Sequence, residues 1–92
     1  MNEIEVTENN RFELEIDQSV AFIEFDKIEP NILDLVHTEV PEALSGKGVG
    51  SKLVEGALQY SRDNELKIIP SCPFIKNYID KNPQWKDLIV QK

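Results

Sequence analysis

The chain has 92 residues, the length of one compact domain, so we expect residues 1–92 to fold as a single unit. Its 17 acidic and 10 basic residues give a net charge of −7, which disfavours binding to the phosphate backbone of nucleic acids. The single cysteine and the single histidine exclude an internal disulfide framework and argue against a structural zinc site.

The sequence has no apolar stretch approaching the roughly 20 residues of a membrane span. Residues 1–5 are acidic and polar, unlike the basic start and apolar run of a signal peptide. Together with the lone cysteine, these features predict a cytoplasmic protein with no membrane partner and no bound metal.

The first forty residues predict strands. Ile4 and Val6 begin a first strand, which turns near Asn9-Asn10. Apolar and acidic side chains then alternate over residues 12–17, the period of a strand with one buried face. The same period returns after the predicted turn at Asp17-Gln18. The inward-facing side chains are predicted to be Phe12, Leu14 and Ile16, then Ala21, Ile23 and Phe25.

Pro30-Asn31 breaks the chain before residues 32–40, a longer strand that Pro41 ends. Because apolar residues occupy both faces of this strand, it is predicted to lie centrally in a sheet and to be covered from two sides.

From Gly48 onward the apolar period is that of a helix, which we expect to end at Asn64. Lys67-Ile68-Ile69 predicts a short strand that Pro70 ends. Pro73 suits the first position of another helix, because its missing N–H would be unpaired there. The predicted buried side chains of the first helix are Val49, Leu53, Val54, Ala57 and Leu58.

Asn82-Pro83 separates the second helix from a last short helix. Their predicted core side chains are Phe74, Ile75, Tyr78 and Ile79, then Trp85, Leu88 and Ile89. The order of strands, helix, strand and helix predicts an α+β (mixed α/β) fold.

The segment Ser45-Gly46-Lys47-Gly48-Val49-Gly50-Ser51 lies between a strand and the start of a helix. Glycines let the backbone approach a ligand closely, and the free N–H groups of a first helical turn favour an anion such as a pyrophosphate. The glycine spacing matches neither a Walker A loop nor a Rossmann loop. A turn that merely connects two elements is the alternative interpretation.

Gly48-Val49-Gly50 resembles the acetyl-CoA-binding motif of the GNAT acyltransferases, Gln/Arg-x-x-Gly-x-Gly/Ala. Residues 37–41, the glycine loop and residues 69–74, taken in this order, are similar to the small single-domain GNAT-like (YjdJ-type) N-acetyltransferases. The similarity runs from about Phe12 to Leu88. It departs at Ser45, where the broader motif has Gln or Arg, and so loses a side-chain contact to the phosphates.

The resemblance implies a compact GNAT-like fold, a mostly antiparallel sheet of about five strands with helices packed on it. It also implies acetyl-CoA as the co-substrate, an amine acceptor and no metal. The residues that the resemblance assigns to acetyl-CoA are Val40, Ser45, Gly46, Lys47, Gly48, Val49, Gly50 and Ser51.

Cys72 is a candidate nucleophile, because its position just before Pro73 makes it the predicted N-cap of a helix. The positive potential of a helix N-terminus lowers the pKa of a thiol. The resemblance implies that this cysteine lies near the acyl-CoA sulfur, which would permit transient acylation. There are two alternatives for Cys72. It can be a small buried side chain of the core, or it can line the pocket while the acyl group passes directly from CoA to the amine.

His37 and Glu39 are two residues apart on one strand, so their side chains leave the same face. A histidine beside a carboxylate can act as a general base that deprotonates an ammonium acceptor. Leu33 and Leu35 share that face, and on sequence alone a core histidine is the favoured interpretation.

The sequence therefore predicts an acetyl-CoA-binding N-acetyltransferase, with Cys72, His37 and Glu39 as candidate catalytic residues. A non-catalytic CoA-binding or adaptor module with the same fold is the main alternative, and a domain that binds no nucleotide is the second. Both a monomer and a homodimer are compatible with the small core.

Overall fold

A computed structural model describes residues 4–46 and 48–90, so the predicted role of Lys47 lies outside the described residues. The described chain forms five strands, β1 (Glu5–Thr7), β2 (Arg11–Ile16), β3 (Ser19–Glu29), β4 (Ile32–Glu39) and β5 (Lys67–Ile69). It also forms two α-helices, α1 (Val49–Asp63) and α2 (Pro73–Lys81), and two 3-10 helices at Glu42–Leu44 and Pro83–Leu88. The predicted α+β class and mostly antiparallel five-stranded sheet are confirmed.

The sheet has the order β1-β2-β3-β4-β5, and its first four strands are antiparallel neighbours. Asp17 and Gln18 form the predicted turn between β2 and β3, with φ angles of 51° and 68°. Positive φ at both central residues is the geometry of the two-residue turn that matches the twist of a hairpin. Helix α1 then carries the chain across the sheet to β5, which pairs with β4 in parallel.

The hydrophobic core lies between one face of the sheet and the helices. As predicted, Phe12, Leu14, Ala21, Ile23 and Phe25 are buried on this face. The predicted stripe of α1 is also buried: Val49, Leu53, Val54, Ala57 and Leu58.

The opposite face of the sheet, called here the outer face, carries exposed and half-buried residues such as Glu15, Phe22 and Asp26. The prediction that β4 is covered from two sides is therefore wrong. β4 does lie between β3 and β5, but only Leu33 and Leu35 of this strand are buried.

A β-bulge at Val36 decides which way the end of β4 faces. Leu35 pairs with Phe25 and His37 pairs with Glu24, so Val36 is an extra residue on β4. One extra residue reverses the facing of every residue after it. His37 accordingly lies on the outer face with 52% of its side chain exposed, and the interpretation of His37 as a core histidine is wrong.

The helices begin and end close to their predicted positions. Cys72 is the N-cap of α2 with Pro73 in its first turn, and Asn64 is the C-cap of α1. Ile75 and Ile79 are buried, and Tyr78 is partly buried against the core.

Phe74 departs from the predicted core, because 45% of it is exposed. One residue along a helix is a rotation of about 100°, so Phe74 faces away from the direction that Ile75 and Ile79 share. The last predicted helix is a 3-10 helix, whose Trp85 and Leu88 are buried as expected.

Within residues 4–46 and 48–90, no helix is both long and apolar enough to cross a membrane.

The C-terminus of α1 gives a stability prediction. Glu65 has φ 58°, and the Leu66 N–H donates to the Ser61 carbonyl at 2.7 Å while the Glu65 N–H donates to the Arg62 carbonyl at 3.2 Å. These paired bonds form a helix cap whose left-handed position is normally glycine. We expect Glu65→Gly to raise the free energy of unfolding by about 0.5–1 kcal/mol, measured by urea denaturation. Glu65→Ala is the control: it keeps a Cβ in the left-handed region, and an equal gain from it would contradict this account.

Candidate functional site

The glycine loop follows β4 and leads directly into α1. The Ser45 hydroxyl donates to the Glu42 carbonyl at 2.9 Å, which closes the preceding 3-10 helix. Gly46 and Gly48 have φ angles of 78° and 72°, a left-handed conformation that residues with a Cβ rarely adopt. Two glycines are therefore needed here to turn the backbone into the helix.

The N-terminus of α1 is open to a ligand. Its N-cap is Gly48, which has no side chain to cap the helix. The first backbone bond of the helix runs from the Lys52 N–H to the Gly48 carbonyl at 3.1 Å. The N–H groups of Val49, Gly50 and Ser51 precede that bond and, with the helix dipole, favour an anion.

A cleft of about 240 Å³, called here the glycine-loop cleft, lies beside this N-terminus. Seven of the eight residues predicted to bind acetyl-CoA line it, and the eighth, Lys47, lies outside the described residues. The lining residues are Val40, Leu44, Ser45, Gly46, Gly48, Val49, Gly50, Ser51 and Phe74. Residues from the end of β4, the loop, α1 and α2 thus meet around one space.

Phe74 forms a wall of this cleft, a role that the sequence did not indicate. A Cβ at Gly50 would lie only 2.6 Å from Cζ of the Phe74 ring, so the ring lies directly on the glycine. A side chain at position 50 would therefore displace the Phe74 ring from this place. The sequence pattern predicts a core position for Phe74, next to Ile75, and carries no separate signal for this role.

A second cleft, called here the α2 cleft, continues the first along α2. It has a volume of about 270 Å³ and shares Ser51 and Phe74 with the glycine-loop cleft. Its other lining residues are Asn77, Tyr78 and Lys81, none of which the sequence singled out as site residues. Their spacing along α2 places them on one face of the helix. The sequence does not show that this face meets α1, because that depends on how the two helices pack.

Cys72 lies where β4 and β5 separate. β5 pairs only with Ile32, Leu33 and Asp34 of β4, and the Cys72 N–H then donates to the Leu35 carbonyl at 3.0 Å. Cys72 Sγ lies 3.4 Å from Thr38 Oγ1, because the bulge turns Thr38 toward the helices. The thiol is 7% exposed, at the N-terminus of α2.

Burial raises the pKa of the Cys72 thiol, but hydrogen bonds outweigh this effect. The Thr38 hydroxyl and the backbone groups of Ile75, Phe74 and Thr38 favour the thiolate, so the net pKa lies below its ordinary value. The environment therefore favours the thiolate, which is the form of cysteine that acts as a nucleophile.

His37 and Glu39 form a pair on the outer face of β4, with His37 Nε2 and Glu39 Oε1 3.2 Å apart. The His37 ring also lies near Phe22, at 6.3 Å between centroids. Cys72 contacts the strand from its other face. The structure thus brings His37 and Glu39 together, and Cys72 with Thr38, on opposite faces of one strand.

Among residues 4–46 and 48–90, no group of three or more His, Cys, Asp or Glu side chains is arranged to hold a metal ion.

A family model, several curated proteins and a solved structure are similar to this chain. The sequence model of the family described as GCN5-related N-acetyl-transferase matches residues 11–88. Proteins named NATD1 from Gallus gallus, Mus musculus and Homo sapiens are each 36% identical over 63 residues, 68% of this chain. The matched region spans 57% of the chicken and mouse proteins and 56% of the human one.

Similarity extends to a solved structure. The solution NMR structure of a GCN5-like protein from Staphylococcus aureus is 34% identical in sequence and has a TM-score of 0.73. The alignment covers 98% of this chain and 89% of that protein.

The contact between Thr38 and Cys72 gives a prediction about reactivity. Thr38→Val keeps the shape of the side chain and removes its hydroxyl, so the thiolate loses a hydrogen bond and the pKa of Cys72 rises. We expect the pH at which iodoacetamide alkylation reaches half its maximal rate to move upward. Thr38→Ser, which retains the hydroxyl, is the matched control. An unchanged profile in Thr38→Val would show that the backbone contacts alone set the pKa.

Proposed function

The chain belongs to the GCN5-related N-acetyltransferase family, and on that premise we propose that it binds acetyl-CoA and transfers the acetyl group to an amine. The glycine-loop cleft is the observation that carries this proposal. Seven residues assigned to acetyl-CoA from the sequence line it, beside the uncapped N-terminus of a 15-residue helix. The relatives are longer than the matched region, so the acceptor and partners of this chain are proposed from its own residues.

The pyrophosphate of acetyl-CoA would be held by the backbone at the first turn of α1. The N–H groups of Val49, Gly50 and Ser51 supply donors, and the dipole of α1 favours negative charge. A Cβ built at Gly46 or Gly48 would point into open space, since no heavy atom beyond the adjacent residues lies within 4 Å of it. The two glycines therefore keep side chains out of the path of the ligand. Backbone donors matter in this protein because a net charge of −7 repels an anion at long range.

The thioester end would lie toward Cys72, in the gap between β4 and the start of α2. Val40 lines the glycine-loop cleft and follows the bulged end of β4 directly. Beyond Leu35, whose carbonyl accepts from the Cys72 N–H, this edge of β4 has no β5 partner, so its backbone can face a ligand there. Acetyl-CoA supplies the activated acyl group, and the chain positions it.

Two routes to the amine differ in the role of Cys72. In direct transfer, His37 takes a proton from the ammonium acceptor with Glu39 holding the imidazole, the amine attacks the thioester, and CoA leaves as a thiolate. In covalent transfer, the Cys72 thiolate attacks the thioester and forms an acyl-cysteine. CoA again leaves as a thiolate, and the amine then displaces Cys72. The lowered pKa of Cys72 favours the second route, and the exposed His37–Glu39 pair favours the first.

A non-catalytic CoA-binding module is the second candidate function. The observation that favours it is the open outer face, because the helices of the described chain contact the sheet from one side. An amine-dependent release of free CoA over a panel of amines separates the enzyme from the module. We propose a cytoplasmic location for either function, because a single cysteine without a disulfide partner is typical of a reducing compartment.

The anion site is tested by a charge placed at Gly48. Both Gly48→Glu and Gly48→Gln put a side chain on a left-handed residue and share a loss in folding stability of about 1–2 kcal/mol. Only Glu adds a negative charge to the proposed pyrophosphate site. We expect acetyl-CoA to bind Gly48→Glu about tenfold more weakly than Gly48→Gln in calorimetric titration. Equal affinities in the two folded variants would place the pyrophosphate elsewhere.

The role of Cys72 is tested by mass spectrometry after incubation with acetyl-CoA. We expect the wild-type protein to gain one acetyl group, and Cys72→Ala to bind acetyl-CoA with unchanged affinity while gaining none. His37→Gln serves as the comparison, since it lies on the other face of β4 and should still be acylated. An acylated species that persists in Cys72→Ala would remove Cys72 as the nucleophile and leave direct transfer.

A further inference from the structure

We infer that the α2 cleft holds the nucleotide end of coenzyme A, and that Lys81 recognises its 3′-phosphate. This inference rests on the proposed binding of acetyl-CoA and adds a residue that selects among CoA derivatives. The α2 cleft is lined by Ser51, Phe74, Asn77, Tyr78 and Lys81.

The two clefts adjoin each other. They share Ser51 and Phe74, so a molecule whose pyrophosphate lies at the first turn of α1 can extend past these two residues into the α2 cleft. Cys72 caps one end of α2 and Lys81 lies in its last turn, nine residues or roughly 14 Å apart along the axis. Coenzyme A has a thiol at one end, the pyrophosphate between, and the 3′-phosphorylated adenosine at the other end. With the thiol end at Cys72, the adenosine end lies toward Lys81.

The side chains of the α2 cleft suit a phosphate. The Lys81 ammonium is exposed, and within residues 4–46 and 48–90 it has no salt-bridge partner. The hydroxyl of Ser51 and the amide of Asn77 are neutral donors. Burial and the nearby Glu55 carboxylate raise the pKa of Tyr78, so its phenol stays protonated at neutral pH and is also a donor.

Lys81 supplies the charge that this cleft otherwise lacks. The protein has a net charge of −7, and Glu55 lies close enough to Tyr78 to affect its titration. Both would repel a phosphate that carries nearly two negative charges. Lys81 is the one cation among the residues that line either cleft within the described chain, since Lys47 lies outside it. Loss of its charge should therefore affect ligands that carry the 3′-phosphate and leave those without it unchanged.

Calorimetric titration with coenzyme A and with 3′-dephospho-coenzyme A tests this inference. We expect the wild-type protein to bind coenzyme A about fivefold more tightly. Lys81→Gln should bind both ligands equally, with the affinity that the wild type has for the dephosphorylated one. Lys76→Gln is the matched control, because Lys76 is an exposed lysine of α2 that lines neither cleft. Lys76→Gln changes the net charge by the same amount as Lys81→Gln, and it should still bind coenzyme A more tightly than 3′-dephospho-coenzyme A.

The outcomes separate this inference from the function on which it rests. Equal affinity of the wild type for the two ligands would overturn the role of Lys81 while leaving acetyl-CoA binding intact. A preference that survives Lys81→Gln, or is lost equally in Lys76→Gln, would also overturn it. If neither ligand binds to the folded protein, the proposed function itself fails and this inference fails with it.

Discussion

The limited pairing of β4 with β5 is the constraint on which the candidate site depends. Three residues of β4 pair with β5, and Pro70 then ends β5 because it cannot donate a backbone hydrogen bond. The Ser71 hydroxyl donates to the Asp34 carboxylate at 2.5 Å, and the Cys72 N–H donates to the Leu35 carbonyl. These bonds hold the strands together up to the point of separation. Beyond it, the chain of β5 becomes α2 while β4 continues with β3 as its one neighbour among the described strands, which leaves the gap beside Cys72.

The bulge at Val36 falls at this same point and divides β4 into two parts with opposite facing. Before the bulge, Leu33 and Leu35 build the core; after it, Thr38 faces the helices and contacts Cys72. The extra residue leaves Val36 itself exposed by 40%, and a second irregularity leaves Ile28 of β3 exposed by 54%. Two of the large exposed apolar side chains are therefore consequences of strand irregularity, and neither requires a partner surface to explain it.

The local parts of the fold could be predicted because local rules decide them. Alternation fixed the buried face of β2 and β3, the turn at Asp17-Gln18 follows from hairpin geometry, and Pro73 marks the start of α2. The bulge could not be predicted, because the pattern of residues 32–40 is apolar at both parities and only the pairing with β3 shows the extra residue. For this reason the facing of His37 was predicted wrongly.

The residues of the candidate site also divide into those that the sequence could predict and those that it could not. The glycine loop could be predicted because left-handed turns and an uncapped helix start need glycine at particular places in the sequence. Phe74 and Lys81 could not, because their roles depend on the approach of α2 to α1. The position of the Phe74 ring depends on Gly50, which lies 24 residues before Phe74 in the chain and directly beneath its ring.

The arrangement of β4 also limits how catalysis can occur. Cys72 and the gap lie on the side of the sheet that the helices cover, whereas His37 and Glu39 lie on the outer face. A base on the outer face can serve only an acceptor that approaches from that face and reaches the thioester past the edge of β4. A covalent route would instead bring the acceptor to a thiol that is 7% exposed, where access is much narrower. The side from which the amine approaches therefore decides between the two routes.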